Sequence, residues 1–164
     1  MPKIVAFTGR SNSGKTTLIE KIIQTLACSY KVAVFKHDPK NKAVFDTEGK
    51  DSYRFFHQGA DVAVVSPSKT TIIAHQNKEI DWLCRVFFDK DYIFVEGLKE
   101  LSLPRICVAR DMIDVAYIDF SDAFAIDTSV CNLEIIPKNI PILDLNNPNE
   151  VLLWINKFGK EISG

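Results

Sequence analysis

None of the four cysteines, Cys28, Cys84, Cys107 and Cys131, sits in a C-x-x-C pair or near a histidine at zinc spacing. Their scatter argues against a zinc ribbon or a disulfide framework and reads as reduced, structural thiols, with Cys107 in Ile-Cys-Val-Ala as strand core. No apolar run approaches the roughly 18 residues that a membrane span requires. The chain also begins almost directly with a strand, so no targeting segment is expected and the protein is read as soluble and cytoplasmic, with no membrane partner. A formal net charge of −1 provides no basic field, which removes nucleic acid as the default partner. Low-complexity stretches, charge blocks and internal repeats are missing as well. With 46% hydrophobic residues in a length of 164, the chain suits one core better than two, and a single domain over residues 1–164 is expected.

What is present is the octet Gly9-Arg10-Ser11-Asn12-Ser13-Gly14-Lys15-Thr16, a match to the phosphate-binding loop G-x-x-x-x-G-K-[ST]. Chance alone would give it in roughly one chain in two hundred of this length, and its flanks make chance a poorer explanation. The run Lys3-Ile-Val-Ala-Phe-Thr8 before it reads as a buried strand. After it, Leu18, Ile19, Ile22, Ile23 and Leu26 paint one face of a helix.

Each residue type has a physical task in such a loop. Gly9 and Gly14 permit backbone angles and approaches that a Cβ would block, so the N–H groups of Arg10, Ser11, Asn12 and Ser13 can turn inward around a β-phosphate at a positive helix end. Lys15 would reach the β- and γ-phosphates, Thr16 would give one hydroxyl ligand to Mg²⁺, and Thr17 is a candidate α-phosphate contact. Arg10 stands where the deviant loops of dimeric NTPases carry a second basic residue that reaches a phosphate across the dimer.

The rest of the chain alternates strand-like and helix-like segments, which argues for an α/β fold with a mainly parallel sheet flanked by helices, the P-loop NTPase fold. Strands are predicted at 31–36, 62–66, 70–74, 92–96, 105–109 and 123–127. Helices are predicted at 51–58, where Asp51 or Ser52 is a natural N-cap, at 79–88, and at 149–162 with Leu152, Leu153, Ile155 and Phe158 inward. Ligands in such sheets bind at the carboxyl ends of strands. That rule selects Lys36-His37-Asp38, Glu96-Gly97 and Asp127 beside the phosphate loop. Glu96, after four apolar residues, suits the second metal-binding motif, acting through a Mg²⁺-bound water or as a general base as readily as by direct ligation. Asp46 and Asp51 are candidates to accept from a metal-bound water, while a solvated loop explains them equally well. Asp127 could accept from guanine N1 and N2 or close a turn.

Gly9-x-Ser11-x-Ser13-Gly14-Lys15-Thr16-Thr17-Leu18, Lys36-His37, Asp46-x-x-Gly49-Lys50-Asp51-Ser52, Gly59-Ala60 and Val95-Glu96-Gly97-x-Lys99 together resemble the MobB family, the GTP-binding adaptor of molybdopterin guanine dinucleotide synthesis. The matching blocks are ordered across roughly the first hundred residues. The resemblance implies a phosphate-loop α/β fold, a homodimer, GTP with Mg²⁺, weak GTPase activity, and a MobA-type molybdopterin guanylyltransferase as partner, with molybdopterin as a further ligand. One departure stands out: His37 is followed by Asp38-Pro39-Lys40, where the family often carries further histidines.

Base preference is not legible in the residues, because no Asn-Lys-x-Asp guanine signature occurs; GTP rests on the resemblance. The alternative is an ATP-dependent small-molecule kinase. Glu96 would serve it as a base, yet Arg85, Arg105 and Arg110 are scattered without a lid-like cluster that could close over a γ-phosphate. Slow hydrolysis is expected of the adaptor, since no glutamine is evidently placed to position water.

Overall fold

The computed structural model describes residues 1–77 and 79–162. The chain clusters into two compact units, one made of Met1–His37 with the chain from Cys84 onward, the other of Asp38–Leu83. The first carries β1 (Lys3–Thr8), α1 (Lys15–Leu26), β2 (Val32–Lys36), β5 (Tyr92–Glu96), β6 (Arg105–Ala109), β7 (Ala123–Ile126), β8 (Ile142–Asp144), α4 (Pro148–Phe158) and β9 (Lys160–Glu161). Among the described residues its sheet has seven strands in the order β2-β5-β1-β6-β7-β8, all parallel along that path. The antiparallel β9 pairs with Lys3 and Ile4 of β1, below the point at Ala6 where β6 begins to pair.

The central strands are apolar runs because both faces of the sheet are covered. Phe7, Phe94, Ile106, Val108 and Ala125 pack with Leu18, Ile22 and Leu26 of α1 and with Val151, Trp154 and Ile155 of α4. The opposite face of β6 and β7 offers Cys107, Ala109, Phe124 and Ile126, which meet Ile113, Tyr117, Val130 and Ile136 from irregular segments and 3-10 turns. Each fully buried Phe, Ile or Leu stabilises by roughly 1.5–3 kcal/mol relative to exposure, so the core resides in this unit. Arg105 is the exception among these apolar strands, a cation only 1% exposed.

Three expectations are corrected. The last helix stops at Phe158, and its buried stripe is Val151, Trp154 and Ile155, while Leu153 and Phe158 are exposed. That i, i+3, i+4 spacing is what a single face allows, and Leu153 falls off it. Gly159 ends the helix and the following residues turn back as β9. α2 (Asp51–His57) has Lys50 at its N-cap with no side-chain cap, because Ser52 Oγ donates to Asp46 Oδ1 at 2.9 Å instead.

The third correction concerns the unit Asp38–Leu83. β3 (Val62–Val65) and β4 (Thr70–Ile73) are not strands of the parallel sheet but an antiparallel pair of their own. The connection through Pro67 is far too short for a crossover, and Ser66 closes the turn on Lys69 O through both its amide and its hydroxyl. Phe56 stacks on His75 with ring centroids 4.0 Å apart, and His75 Nε2 meets Phe56 O at 2.9 Å. The helix α3 (Ile80–Val86) follows this unit's hairpin and buries Cys84.

Candidate nucleotide site

The loop between β1 and α1 turns through left-handed angles at Asn12 and Gly14, with φ of 64° and 95°. Gly9, at φ 132°, hugs β6 so closely that a Cβ there would lie 2.2 Å from Val108 O. Glycine is therefore a steric requirement of the loop's path as well as a conformational one. Lys15 Nζ folds back to donate to Gly9 O at 2.9 Å, Arg10 O at 2.6 Å and Ser13 Oγ at 3.4 Å. Burial pushes its pKa down, and the charge of Glu96 opposes that shift.

The start of α1 fits a phosphate. Gly14 offers no side-chain cap, the first turn holds no acid, and its first residue is Lys15. A helix whose positive end has a lysine and no internal anion is suited to an external one, because its first amides have no intrahelical acceptor. Thr16 and Thr17 follow on the exposed side of that turn. Arg10 is exposed too, its carbonyl engaged by Lys15 Nζ and Ser13 N.

Strand register brings Glu96 to this end of the sheet, opposite Phe7 of β1 and Lys36 of β2. Its Oε2 accepts from Lys36 Nζ at 3.0 Å, and its side chain is only 15% exposed. Gly97 and Leu98 then turn through φ of 96° and 48°. Gly97 faces His37, whose Cβ would stand 2.9 Å from an added methyl. The buried Arg105 guanidinium grips this bend by donating to the carbonyls of Gly97, Leu98, Lys99 and Leu101 at 2.9–3.4 Å. Burial lowers its pKa, with Asp122 opposing.

The other candidates are placed differently. Asp127 lies beyond β7, where its Oδ1 accepts from Ser129 N at 3.0 Å and from Ser129 Oγ, and its Oδ2 pairs with Arg110 Nε at 3.1 Å. Those bonds, the Ser129 hydroxyl first, hold its pKa below the ordinary carboxylate value. Asp46 and Asp51 belong to the second unit. Asp46 Oδ1 accepts from Thr47 N and Ser52 Oγ, whereas its Oδ2 is buried with no partner among the described residues. An orphan carboxylate oxygen of that kind suits a cation or a bound water. Asp51 is exposed and pairs with Arg54 at 3.7 Å. No three of His, Cys, Asp and Glu converge as a metal cage among the described residues. Mg²⁺ bound through a hydroxyl, an acid and phosphate oxygens does not need one.

Cys107 lines a cavity of about 310 Å³ with Gly9 to Ser13, Ala109, Arg110 and Tyr117. Its thiol, pushed up to about 12 by burial, is inert core as its sequence context indicates. Cys28, Cys107 and Cys131 are free thiols, and Cys28 and Cys131 are exposed rather than structural core. Sequence reasoning missed Arg110 as a site residue. It follows the last residue of β6, a position the strand-end rule allows, but its pairing with Asp127 is set by the β6–β7 register.

Residues 4–128 match the family described as MobB, molybdopterin guanine dinucleotide synthesis protein B. The chain belongs to the MobB family. Among its relatives, the putative molybdopterin-guanine dinucleotide biosynthesis adapter protein of Methanocaldococcus jannaschii is 30% identical over 156 residues, covering 88% of this chain and 65% of that protein. The adapter protein of Haemophilus influenzae is 35% identical over 114 residues, 65% of this chain and 63% of that one. The chain thus spans a little under two-thirds of the length of these curated relatives. The crystal structure of Bacillus subtilis MobB shares the fold, with a TM-score of 0.72 at 24% identity over 97% of this chain and 99% of that one. Among the described residues, no helix of this MobB-family chain is long and apolar enough to cross a membrane.

Proposed function

We propose that this chain is a GTP-binding adaptor in molybdopterin guanine dinucleotide biosynthesis that assists a MobA-type guanylyltransferase, with slow Mg²⁺-dependent hydrolysis. The observation that carries the reading is the cradle at Gly9–Thr17, a glycine-shaped loop on an uncapped, lysine-bearing helix start. Membership of a family whose curated relatives are named adapter proteins supports the adaptor role. The Thr16 hydroxyl and, through water, Glu96 would hold Mg²⁺, which would supply positive charge to the phosphates. Lys15 would leave the Gly9 and Arg10 carbonyls for the phosphate oxygens, and the loop amides would stabilise charge that grows in the transition state. Glu96 would orient a water or take its proton after exchanging its Lys36 partner.

One arginine that a kinase lid would use is committed elsewhere, because Arg105 is buried against the loop after β5 and bonds its carbonyls. Val64, Val65 and Ile72 of the hairpin are exposed apolar side chains, which supports a homodimer.

The test is calorimetric titration with GTP and with ATP in Mg²⁺, each with and without the molybdopterin guanylyltransferase. A preference for GTP and a binding change with the partner are expected. Preference for ATP with no partner effect would replace the adaptor by the kinase. Lys15→Ala should abolish triphosphate binding, and Glu96→Gln should slow turnover more than it weakens affinity.

A further inference from the structure

Arg110 joins two places that otherwise have no common element. Ala109 and Ile126 are register partners at the ends of β6 and β7, so the residues that follow them, Arg110 and Asp127, emerge side by side. Arg110 Nε pairs with Asp127 Oδ2 at 3.1 Å, while Asp127 Oδ1 is fixed by Ser129 N and Oγ. The guanidinium also lies over the phosphate loop: its Cζ and Nε stand 3.4 Å from where a Gly14 Cβ would be. It lines the cavity beside Gly9 to Ser13. A planar cation, half-exposed and clamped through one nitrogen, therefore stands next to the helix start that would hold the phosphates.

A guanidinium offers donors only. A 6-oxopurine presents two acceptors on one edge, O6 and N7, and an arginine fork matches them in bidentate fashion; a 6-aminopurine replaces one acceptor by an N–H donor, which the fork opposes. Asp127 is the poorer reader. Both of its oxygens already accept, and their geometry serves to aim Arg110. We propose that Arg110 is the base-selecting residue of this chain, donating from its terminal nitrogens to O6 and N7 of a 6-oxopurine nucleotide, with Asp127 and Ser129 as its positioning residues. The proposal rests on the reading of Gly9–Thr17 as a nucleotide site and supplies the base discrimination that the sequence lacks a motif for.

The experiment is a calorimetric series on the full chain in Mg²⁺ with GTP, ITP, ATP and 7-deaza-GTP, repeated on Arg110→Met and Asp127→Asn. ITP lacks the N2 amine but keeps O6 and N7, so it should bind like GTP. ATP and 7-deaza-GTP should bind at least about fivefold more weakly, the low end for one bidentate pair. Arg110→Met should bring GTP and ITP to the level of ATP and leave ATP unchanged; Asp127→Asn should reduce GTP and ITP together. ITP binding far more weakly than GTP would move the reading to the N1/N2 edge and overturn the proposal. An equal loss of GTP and ATP in Arg110→Met would overturn it as well, by assigning the guanidinium to phosphate or ribose. The nucleotide series on the parent chain decides between the two base edges even if a variant fails to fold. A parent chain that binds no nucleotide, or binding that survives Lys15→Ala, would sink the phosphate-loop reading and this proposal with it.

Discussion

β7 and β3 are both four-residue apolar runs, Ala123–Ile126 and Val62–Val65, yet every residue of the first is buried and three of the second are exposed. The difference is in their neighbours. β7 has a parallel partner on each side and side chains packed on both faces, whereas β3 has β4 alone. An apolar run thus states a capacity for burial, and topology decides whether it is used. In the sheet unit the burial is deep enough to hold a cation, Arg105, and a strained loop. In the hairpin unit, stability leans on the turn at Ser66 and on the stacking of Phe56 with His75.

The contrast is broken most severely at Arg105. Replacing it with methionine leaves the carbonyls of Gly97, Leu98, Lys99 and Leu101 without their shared donor. The expected loss is about 3 kcal/mol, the upper end for leaving a neutral acceptor unsatisfied because four carbonyls lose one donor group, measured by urea denaturation. A loss below about 1 kcal/mol would mean that the bend after Glu96 holds itself. Gly9→Ala comes next, because its methyl would meet Val108 O at 2.2 Å in a backbone conformation that L side chains rarely adopt. Roughly 2–3 kcal/mol should be lost, and nucleotide binding should weaken in the fraction that remains folded. An equivalent change at Gly59, where nothing lies within 4 Å of an added Cβ, keeps the φ strain and removes the clash, so the difference between the two isolates β6 contact.

Much of the sheet unit was legible because its signals are redundant. β1 and β6 have the predicted bounds, and the α1 stripe buries Leu18, Ile19, Ile22 and Leu26 as its periodicity requires. The phosphate loop was readable because strand, glycines, lysine and helix are contiguous in sequence. β8 and β9 were missed: they are three- and two-residue strands, too short for any alternation to register. The hairpin was read as sheet because Val62–Val65 carries the same local pattern as a buried strand, and only the short Ser66–Lys69 connection distinguishes them. Arg110 and Arg105 escaped for another reason. Their partners, Asp127 and the carbonyls after Glu96, come from elsewhere on the sheet and are set by register, which no window of local sequence contains.

A smaller effect sharpens the comparison from within the sheet unit. Lys15 is a partly buried ammonium whose pKa is pushed below its ordinary 10.5 by desolvation, against the pull of Glu96. Between that lowered folded value and 10.5 the unfolded chain keeps a proton that the folded chain has released, so stability should rise with pH across this window. As pH falls through the folded value the penalty is fully present, and it then stays constant down to neutrality. Lys15→Met should therefore be as stable as the parent at pH 7, or more so, and should lack the parent's gain toward pH 10. Urea midpoints at the two pH values read this directly, and a variant clearly less stable at pH 7 would show that the bonds to Gly9 O and Arg10 O outweigh the desolvation. Adding nucleotide should reverse the ranking, since only the parent has the Lys15 ammonium to offer the phosphates.

The smallest effect on the isolated chain is expected in the hairpin, and it is the most informative about assembly. Val65 is 75% exposed in β3, opposite Thr70 of β4, so Val65→Thr removes no core contact and retains a β-branched side chain. Unfolding free energy should change by less than about 0.5 kcal/mol, the usual limit for a surface substitution. If the exposed Val64, Val65 and Ile72 form the homodimer surface, the same substitution should weaken self-association in sedimentation experiments while nucleotide affinity per chain is retained. If self-association is untouched and stability falls by more than 1 kcal/mol, β3 is buried in the working protein by something other than a second copy, and the contrast between the two strands disappears.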